Sequence, residues 1–126
     1  MFRVKSIIIF ITLAAALLAA CSTNAAPPPT LTALEQQGQA VYTVRCAQCH
    51  VLVPGTVVIG PSLAGIATLA EARVPGMDTL EYIETSILLP KDFIVDGFAD
   101  TMPTNFAKEL TSEEFEAVVA FLMTLK

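Results

Sequence analysis

The sequence predicts an all-α domain, and three observations support this class. Apolar residues recur three or four positions apart in several separate segments, which is the spacing of one helix face. Residues that commonly start helices precede two of these segments. The one strand-like stretch, residues 51–59, has two short arms around Pro54-Gly55 and no sheet to join, so we interpret it as an apolar loop with at most local pairing.

Residues 1–20 are predicted to be a signal peptide of the lipoprotein type. Basic residues precede an apolar run from Ile7 to Ala20, which is shorter than the about 20 residues of a membrane span. A removable signal is therefore favoured over an uncleaved anchor. The run ends in Leu18-Ala19-Ala20-Cys21, which resembles a bacterial lipobox and predicts lipidation of Cys21. An ordinary signal with an incidental cysteine is the alternative.

Residues 21–32 are predicted to be a lipid-anchored, proline-rich linker, followed by a single domain over residues 33–126. Three consecutive prolines among small and polar residues favour an extended, semi-rigid tether that rises about 3 Å per residue. A lipidated Cys21 would hold the chain at a membrane surface. We therefore expect an exported protein, at the outer face of the cytoplasmic membrane or in the periplasm.

The domain that follows the signal is acidic. Removal of residues 1–20 takes away Arg3 and Lys5, which leaves five Lys and Arg against twelve Asp and Glu, a net charge of −7 by subtraction. Nucleic-acid phosphates require basic surfaces, so a nucleic-acid partner is not expected. A protein partner with a basic docking patch fits this charge better.

The first predicted helix covers residues 33–45. Leu34, Gly38, Val41 and Tyr42 lie three or four positions apart and would share one face. A glycine inside a helix costs about 1 kcal/mol relative to alanine. Gly38 therefore indicates that another helix crosses closely at that point.

The last predicted helix is the natural partner for that crossing. Thr111 and Glu114 form a capping-box pattern at its start. Its apolar positions then follow the spacing that buries one helix face against a neighbour. They are Phe115, Val118, Val119, Leu122 and Leu125.

Two shorter helical segments are expected between these helices, which makes about three to four helices in all. One is capped by Asp78 and ends before Pro90. Its apolar face consists of Leu80, Ile83 and Ile87. The other is a short turn of helix after Gly60-Pro61.

The segment Cys46-Ala47-Gln48-Cys49-His50 carries the chemistry, and three kinds of site use such a cluster. A closed zinc site needs four ligands, and the adjacent Cys49 and His50 could hardly both reach one tetrahedral ion. A thiol–disulfide oxidoreductase places its cysteines at the start of a helix after a strand, whereas these follow a helix. The third kind is covalent haem, for which Cys-x-x-Cys-His is the attachment signature. Both thiols would then bind vinyl groups, and His50 would bind iron through Nε2.

From Leu34 to Leu125 the chain resembles the class I cytochromes c. The resemblance rests on four motifs in the family's order: Gly38-x-x-x-Tyr42-x-x-x-Cys46-x-x-Cys49-His50, Gly60-Pro61-x-Leu63, Met102-Pro103 and the capped final helix. It implies a cytochrome c-like fold wrapped round one covalently bound haem c. It also implies that the backbone carbonyl of Pro61 accepts a hydrogen bond from His50.

Met102 is expected to bind the other face of the iron. Pro103 keeps it out of a helix, and a loop can aim a thioether at a metal. With the family's Met-Pro pattern, this favours Met102 over Met77, beside a helix cap, and over Met123, in the last helix. Ligation by His50 and Met102 would leave the iron no open site, so electron transfer is the available chemistry.

Apolar residues near this loop are expected to form the haem wall, although ordinary core is their alternative role. The principal candidates are Leu63, Phe98 and Phe106, with Phe93, Ile94 and residues 57–59 as further ones. The sequence has no tryptophan, so the indole contact to a haem propionate seen in many relatives is absent. Tyr82 is the candidate substitute for this contact.

The sequence therefore predicts an electron carrier rather than an enzyme. It would be membrane-tethered, with a single haem, and would move electrons between respiratory or photosynthetic complexes without acting on a small-molecule substrate. Its partners would be redox proteins with a basic or apolar docking patch. Two alternatives stay open: a haem c subunit of a larger oxidoreductase complex, and a haem-based sensor with an open sixth iron position.

Overall fold

Five α-helices and one 3-10 turn build the part of the chain that the structure describes. The computed structural model describes residues 30–126, so the predicted signal peptide, Cys21 and most of the predicted linker lie outside the described residues. The helices are α1 (Ala33–Arg45), α2 (Ile66–Leu69), α3 (Thr79–Leu88), α4 (Phe106–Glu109) and α5 (Ser112–Leu122), and the 3-10 turn Ala70–Ala72 follows α2. Residues 30–126 contain no strand, and the predicted all-α class is confirmed.

The helix count exceeds the predicted three to four by α4, which has four residues, whereas α2 is the short helix expected after Gly60-Pro61. A single turn is too short to display a helical period, so α4 left no pattern in the sequence. Residues 51–59 form the expected loop, with a turn in which Thr56 N donates to Val53 O at 3.2 Å. Over residues 30–126, none of the helices is both long and apolar enough to cross a membrane.

Reciprocal side-chain caps set the starts of α1 and α5. Thr32 Oγ1 accepts a hydrogen bond from Glu35 N at 3.3 Å, and Glu35 Oε2 accepts one from Thr32 N at 2.6 Å. This pair satisfies two backbone N–H groups that would otherwise have no partner at the helix start. The predicted capping box of Thr111 and Glu114 does the same for α5 and is confirmed.

The crossing of α1 and α5 is the main packing contact between helices of the domain. A Cβ on Gly38 would collide with the backbone of Ala117 and lie 2.8 Å from Phe121 Cβ, so the missing side chain is what lets the two helices touch. One turn further along α1, the Tyr42 ring packs against the Phe121 ring, with their centroids 5.6 Å apart. The predicted close crossing at Gly38 is confirmed.

Most of the buried core comes from α5 and α3. The buried residues of α5 are Ala117, Val118, Val119, Phe121 and Leu122, and those of α3 are Tyr82, Ile83 and Ile87. Burial of one large apolar side chain stabilises a fold by about 1.5–3 kcal/mol. These residues therefore form the apolar core against which the loops between the helices pack.

Two predicted face residues are exposed instead of buried. Leu34 is 45% exposed and Leu80 is 44% exposed. Each stands in the first turn of its helix, where a side chain points back toward the helix start rather than onto the packed turns. The periodicity predicted both helices correctly, but it also predicted buried residues in their first turns, where the side chains are exposed.

Candidate haem site

The Cys-x-x-Cys-His segment begins where α1 ends. Cys46 is the C-cap residue of α1, and its N–H donates to the carbonyl of Tyr42 at 2.8 Å. The chain then turns, since Cys49 N and His50 N both donate to Cys46 O, at 3.0 and 2.9 Å. As a result both thiols, which are free, and the imidazole border a single cavity.

His50 is held at its ring and at its backbone. Its Nδ1 lies 2.8 Å from the carbonyl oxygen of Pro61. Because a carbonyl oxygen can only accept, Nδ1 carries the proton and Nε2 keeps its lone pair for a metal. The Tyr42 hydroxyl donates to the His50 carbonyl at 2.6 Å. Burial, and to a lesser extent Cys46, raises the pKa of the Tyr42 phenol, so this donor keeps its proton.

Gly60 has no side chain, and this leaves space for the imidazole ring of His50. A Cβ at Gly60 would lie 2.7 Å from Nδ1 of His50 and closer still to Cε1, distances that real Cβ atoms essentially never show. The loop reaches this place because Gly60 N donates to Cys49 O and Leu63 N donates to Val51 O, both at 2.9 Å. This role of Gly60 was not predicted from the sequence, where the one signal for it is its place directly before Pro61.

The cavity that these groups border has a volume of about 440 Å³. Pockets that bind small molecules and cofactors measure about 300–1,000 Å³, so its size suits a ligand of that class. The three principal wall candidates, Leu63, Phe98 and Phe106, all line the cavity, as do Phe93 and Ile94. Phe106 is 8% exposed and opens α4, so the helix without a sequence pattern contributes directly to the site.

Two other wall candidates lie outside the cavity. Val57 and Val58 are 62% and 54% exposed and are absent from its lining, so their interpretation as wall residues is wrong. Ile59 does line the cavity. The physical reason is the path of the loop, which turns inward where Ile59 N and Gly60 N approach Cys49 O, at 3.4 and 2.9 Å.

Among the methionines of residues 30–126, Met102 alone lines this cavity. Met77 and Met123 are half-buried and pack against the apolar core. The Met102 thioether and the His50 imidazole therefore border the same space, although they lie about half the domain apart in the sequence. The methionine that the sequence favours as the second iron ligand is thus one that borders the cavity.

Ion pairs lie at the margin of the cavity. Arg45 Nη1 is 3.6 Å from Glu109 Oε2, which links the end of α1 to α4. Lys91 Nζ is 3.0 Å from Asp100 Oδ2, within the loop that carries the aromatic wall residues. Both pairs are exposed enough for solvent to screen them, so each contributes about 0–1 kcal/mol to stability.

The surroundings of the thiols bear on the three possible chemistries. Burial raises the pKa of the Cys46 thiol, Cys49 adds to the rise, and Arg45 opposes it. Thiol–disulfide exchange benefits from the opposite change. Within residues 30–126, no group of three or more His, Cys, Asp and Glu side chains is arranged to hold a metal ion.

The donor groups that do border the cavity fit haem c. Two thiols are available for vinyl groups, while an imidazole nitrogen and a thioether sulfur are suitable iron ligands. The apolar side chains around them suit a porphyrin ring. The cleft beside Gly60 fixes the imidazole whose other nitrogen would reach the iron.

Comparisons with known proteins agree with this fit. The sequence model of the family "Cytochrome c" matches residues 35–126, a range that includes the Cys-x-x-Cys-His segment and Met102. Over 96 residues the chain is 32% identical to cytochrome c6 of Rippkaea orientalis (strain PCC 8801 / RF-1), in an alignment that covers 76% of this chain and 75% of that protein. The chain belongs to the cytochrome c family, and its cofactor is covalently bound haem c.

Proposed function

We propose that this cytochrome is a membrane-tethered carrier that moves single electrons between respiratory or photosynthetic redox complexes. One observation carries the electron-transfer part of the proposal: His50 and Met102 border the same cavity as the two attachment cysteines. Binding of the iron by both side chains would leave no position for a substrate. Haem c, when bound, supplies a one-electron iron couple, and ligation by His and Met raises its reduction potential.

The residues around the cavity have separate tasks in this proposal. Cys46 and Cys49 hold the porphyrin through thioether bonds. Pro61 accepts a hydrogen bond from the His50 ring and so would hold it in the orientation that an iron ligand needs. The wall residues Leu63, Phe98 and Phe106 would exclude water from the metal, which would reduce the reorganisation that accompanies electron transfer.

The ligand assignment is tested by visible spectra of the protein matured in a haem-attaching host, first oxidised and then reduced. We expect a c-type reduced spectrum and the weak red charge-transfer band of sulfur bound to ferric iron. Met102→Ala should abolish this band and give high-spin features, whereas Met77→Ala, outside the cavity, should keep it. A band that survives in Met102→Ala would contradict the assignment. Carbon monoxide binding by the reduced native protein would instead favour a sensor.

The tether is the second part of the proposal. Its support is the lipobox-like Leu18-Ala19-Ala20-Cys21 and the proline-rich segment that follows. The protein would lie outside the cytoplasm, in the compartment where haem is attached, and would meet redox proteins with a basic or apolar docking patch. Fatty-acid labelling of the full chain in its host should mark the wild type but not Cys21→Ala. Equal labelling of both would refute lipidation at Cys21.

A further inference from the structure

The haem of a c-type cytochrome carries two propionate groups, and the cavity offers few charges to meet them. An ionised carboxylate is costly to enclose unless a cation or several hydrogen-bond donors accompany it. The thioether bonds of haem c form at the former vinyl groups, which lie on the porphyrin edge opposite the propionates. The propionates therefore require a partner away from Cys46 and Cys49. This inference rests on haem occupying the cavity, as the proposed function requires.

Four charged side chains other than His50 line the cavity, and three of them have partners. Arg45 pairs with Glu109 at 3.6 Å, and Asp100 pairs with Lys91 at 3.0 Å. Arg45 also adjoins Cys46 in the chain, which places it at the thioether edge. The remaining charge is Arg73, which is half-buried and has no ion-pair partner among residues 30–126.

Arg73 lines the same cavity as two hydroxyl donors of α3. It is the C-cap of the 3-10 turn Ala70–Ala72, where its N–H donates to Ala70 O at 2.9 Å, and this turn packs against α3. Tyr82 and Ser86, one helical turn apart on α3, also line the cavity. Tyr82 is 6% exposed, and its ring packs edge-on against that of Phe93, with centroids 5.8 Å apart.

We propose that Arg73 is the counter-ion of a haem propionate and that the Tyr82 hydroxyl is a second donor to the propionate edge. A guanidinium offers five donors in a planar fork that matches a carboxylate. The pairing would satisfy the one unpartnered cation of the lining and the buried carboxylate together. It would also give a chain without tryptophan a way to hold this edge of the haem.

The proposal is tested on the haem-loaded protein with Arg73→Gln, Arg73→Lys and the control Arg45→Gln, which removes the paired arginine. Loss of Arg73 should lower the midpoint reduction potential, because the uncompensated carboxylate favours ferric iron. It should also make the potential depend on pH near neutrality, because the carboxylate then takes up a proton on reduction. The lysine variant should recover most of both changes. Arg45→Gln should lower the potential less and add no pH dependence, because Arg45 is already paired with Glu109 and lies away from the propionates.

Either of two results would overturn the proposal: an Arg73→Gln potential that matches the wild type at every pH, or an equal change in Arg45→Gln. An unaltered c-type spectrum and charge-transfer band in Arg73→Gln would show that haem attachment and axial ligation are intact. A failure of the propionate assignment is thereby distinguished from a failure of the proposed function.

If the Arg73 variants fail to fold or to attach haem, the proposal can be tested on protein that retains Arg73. In the Arg45→Gln variant, Arg73 is the one arginine left after residue 20. With nitrogen-15-labelled arginine, the Nε–H of a guanidinium bound to a carboxylate should exchange slowly with water and give a resolved signal. Exchange as fast as that of free arginine would refute the pairing.

Discussion

At the scale of single residues, the site is organised around the orientation of His50. Pro61 accepts from the ring, Tyr42 donates to the backbone carbonyl, and Gly60 leaves the space beside the imidazole. None of the three would touch a substrate or the iron. Each acts on the direction in which Nε2 points, which is the property that an axial ligand needs.

Gly60→Ala should disturb the ring of His50, the proposed iron ligand. The added methyl group would sit against a ring that the Pro61 carbonyl holds in place, so the ring must rotate or the loop must move. Overpacking of this kind costs about 1–3 kcal/mol, and we expect that loss in denaturant unfolding of the haem protein, with a weakened low-spin spectrum. Gly55→Asn is the control, because Gly55 has open space and a φ of 70° that asparagine tolerates. A wild-type spectrum and stability in Gly60→Ala would contradict this role.

Tyr42→Phe should remove one hydrogen bond while keeping the ring. The lost bond to the His50 carbonyl is expected to lower the free energy of unfolding by about 1 kcal/mol. The contact with the Phe121 ring would remain, so Tyr42→Leu should cost more than Tyr42→Phe. Thermal unfolding of both variants measures the difference, and equal stability of Tyr42→Phe and wild type would show that the bond contributes nothing.

At the scale of elements, the crossing of α1 and α5 supports the site, since α1 ends directly at Cys46. Gly38→Ala should separate the helices, because the new Cβ meets backbone atoms of Ala117 that cannot move aside. We expect a loss of about 1–3 kcal/mol, even though alanine is the better helix former by about 1 kcal/mol. The exposed neighbour provides a control: Gln37→Ala should stay within about 0.5 kcal/mol of wild type. Denaturant unfolding compares them, and a Gly38→Ala protein as stable as the control would contradict close packing.

The long connection between α3 and α4 builds the opposite side of the cavity without regular structure. Gly97, with a φ of 85°, forms a turn in which Phe98 N donates to Val95 O at 3.0 Å. A positive φ favours glycine, because other residues strain there. Together with the Lys91–Asp100 pair, this turn directs Phe98 toward the cavity. The wall therefore depends on local turns rather than on a helix face.

At the scale of the whole molecule, charge should govern the encounter with partners. Residues 30–126 contain all twelve acidic residues and five basic ones, so the domain carries a net charge of −7 by subtraction. Electrostatic steering acts over a screening length of about 10 Å at 0.1 M salt. A basic partner would therefore be attracted most strongly at low salt.

We accordingly expect electron transfer from a basic redox protein to slow as ionic strength rises. Stopped-flow rates with such a protein measure this dependence. An uncharged small-molecule reductant serves as the control, since its rate should hardly change with salt. A rate with the basic protein that is independent of salt, or that rises with it, would contradict the charge-based view of partner choice.

The features that could be predicted from the sequence are those that depend on residues close together in the chain. The bounds of α1, the caps of α3 and α5, the glycine at the helix crossing and the Cys-x-x-Cys-His segment each depend on a few positions within one or two turns. Helical period, capping and haem attachment are all local chemistry, so these predictions agree with the fold. The predicted leader, Cys21 and the start of the linker lie outside the described residues and stay predictions.

Tertiary structure alone decided which residues meet at the cavity. Val57 and Val58 resemble Ile59 in sequence, yet the loop turns inward only at Ile59. The contact of the Gly60 backbone with the His50 ring, and the lack of an ion-pair partner for Arg73 within residues 30–126, likewise follow from the tertiary structure. The physical reason is that loop paths follow hydrogen bonds and packing between distant segments, which local periodicity does not encode.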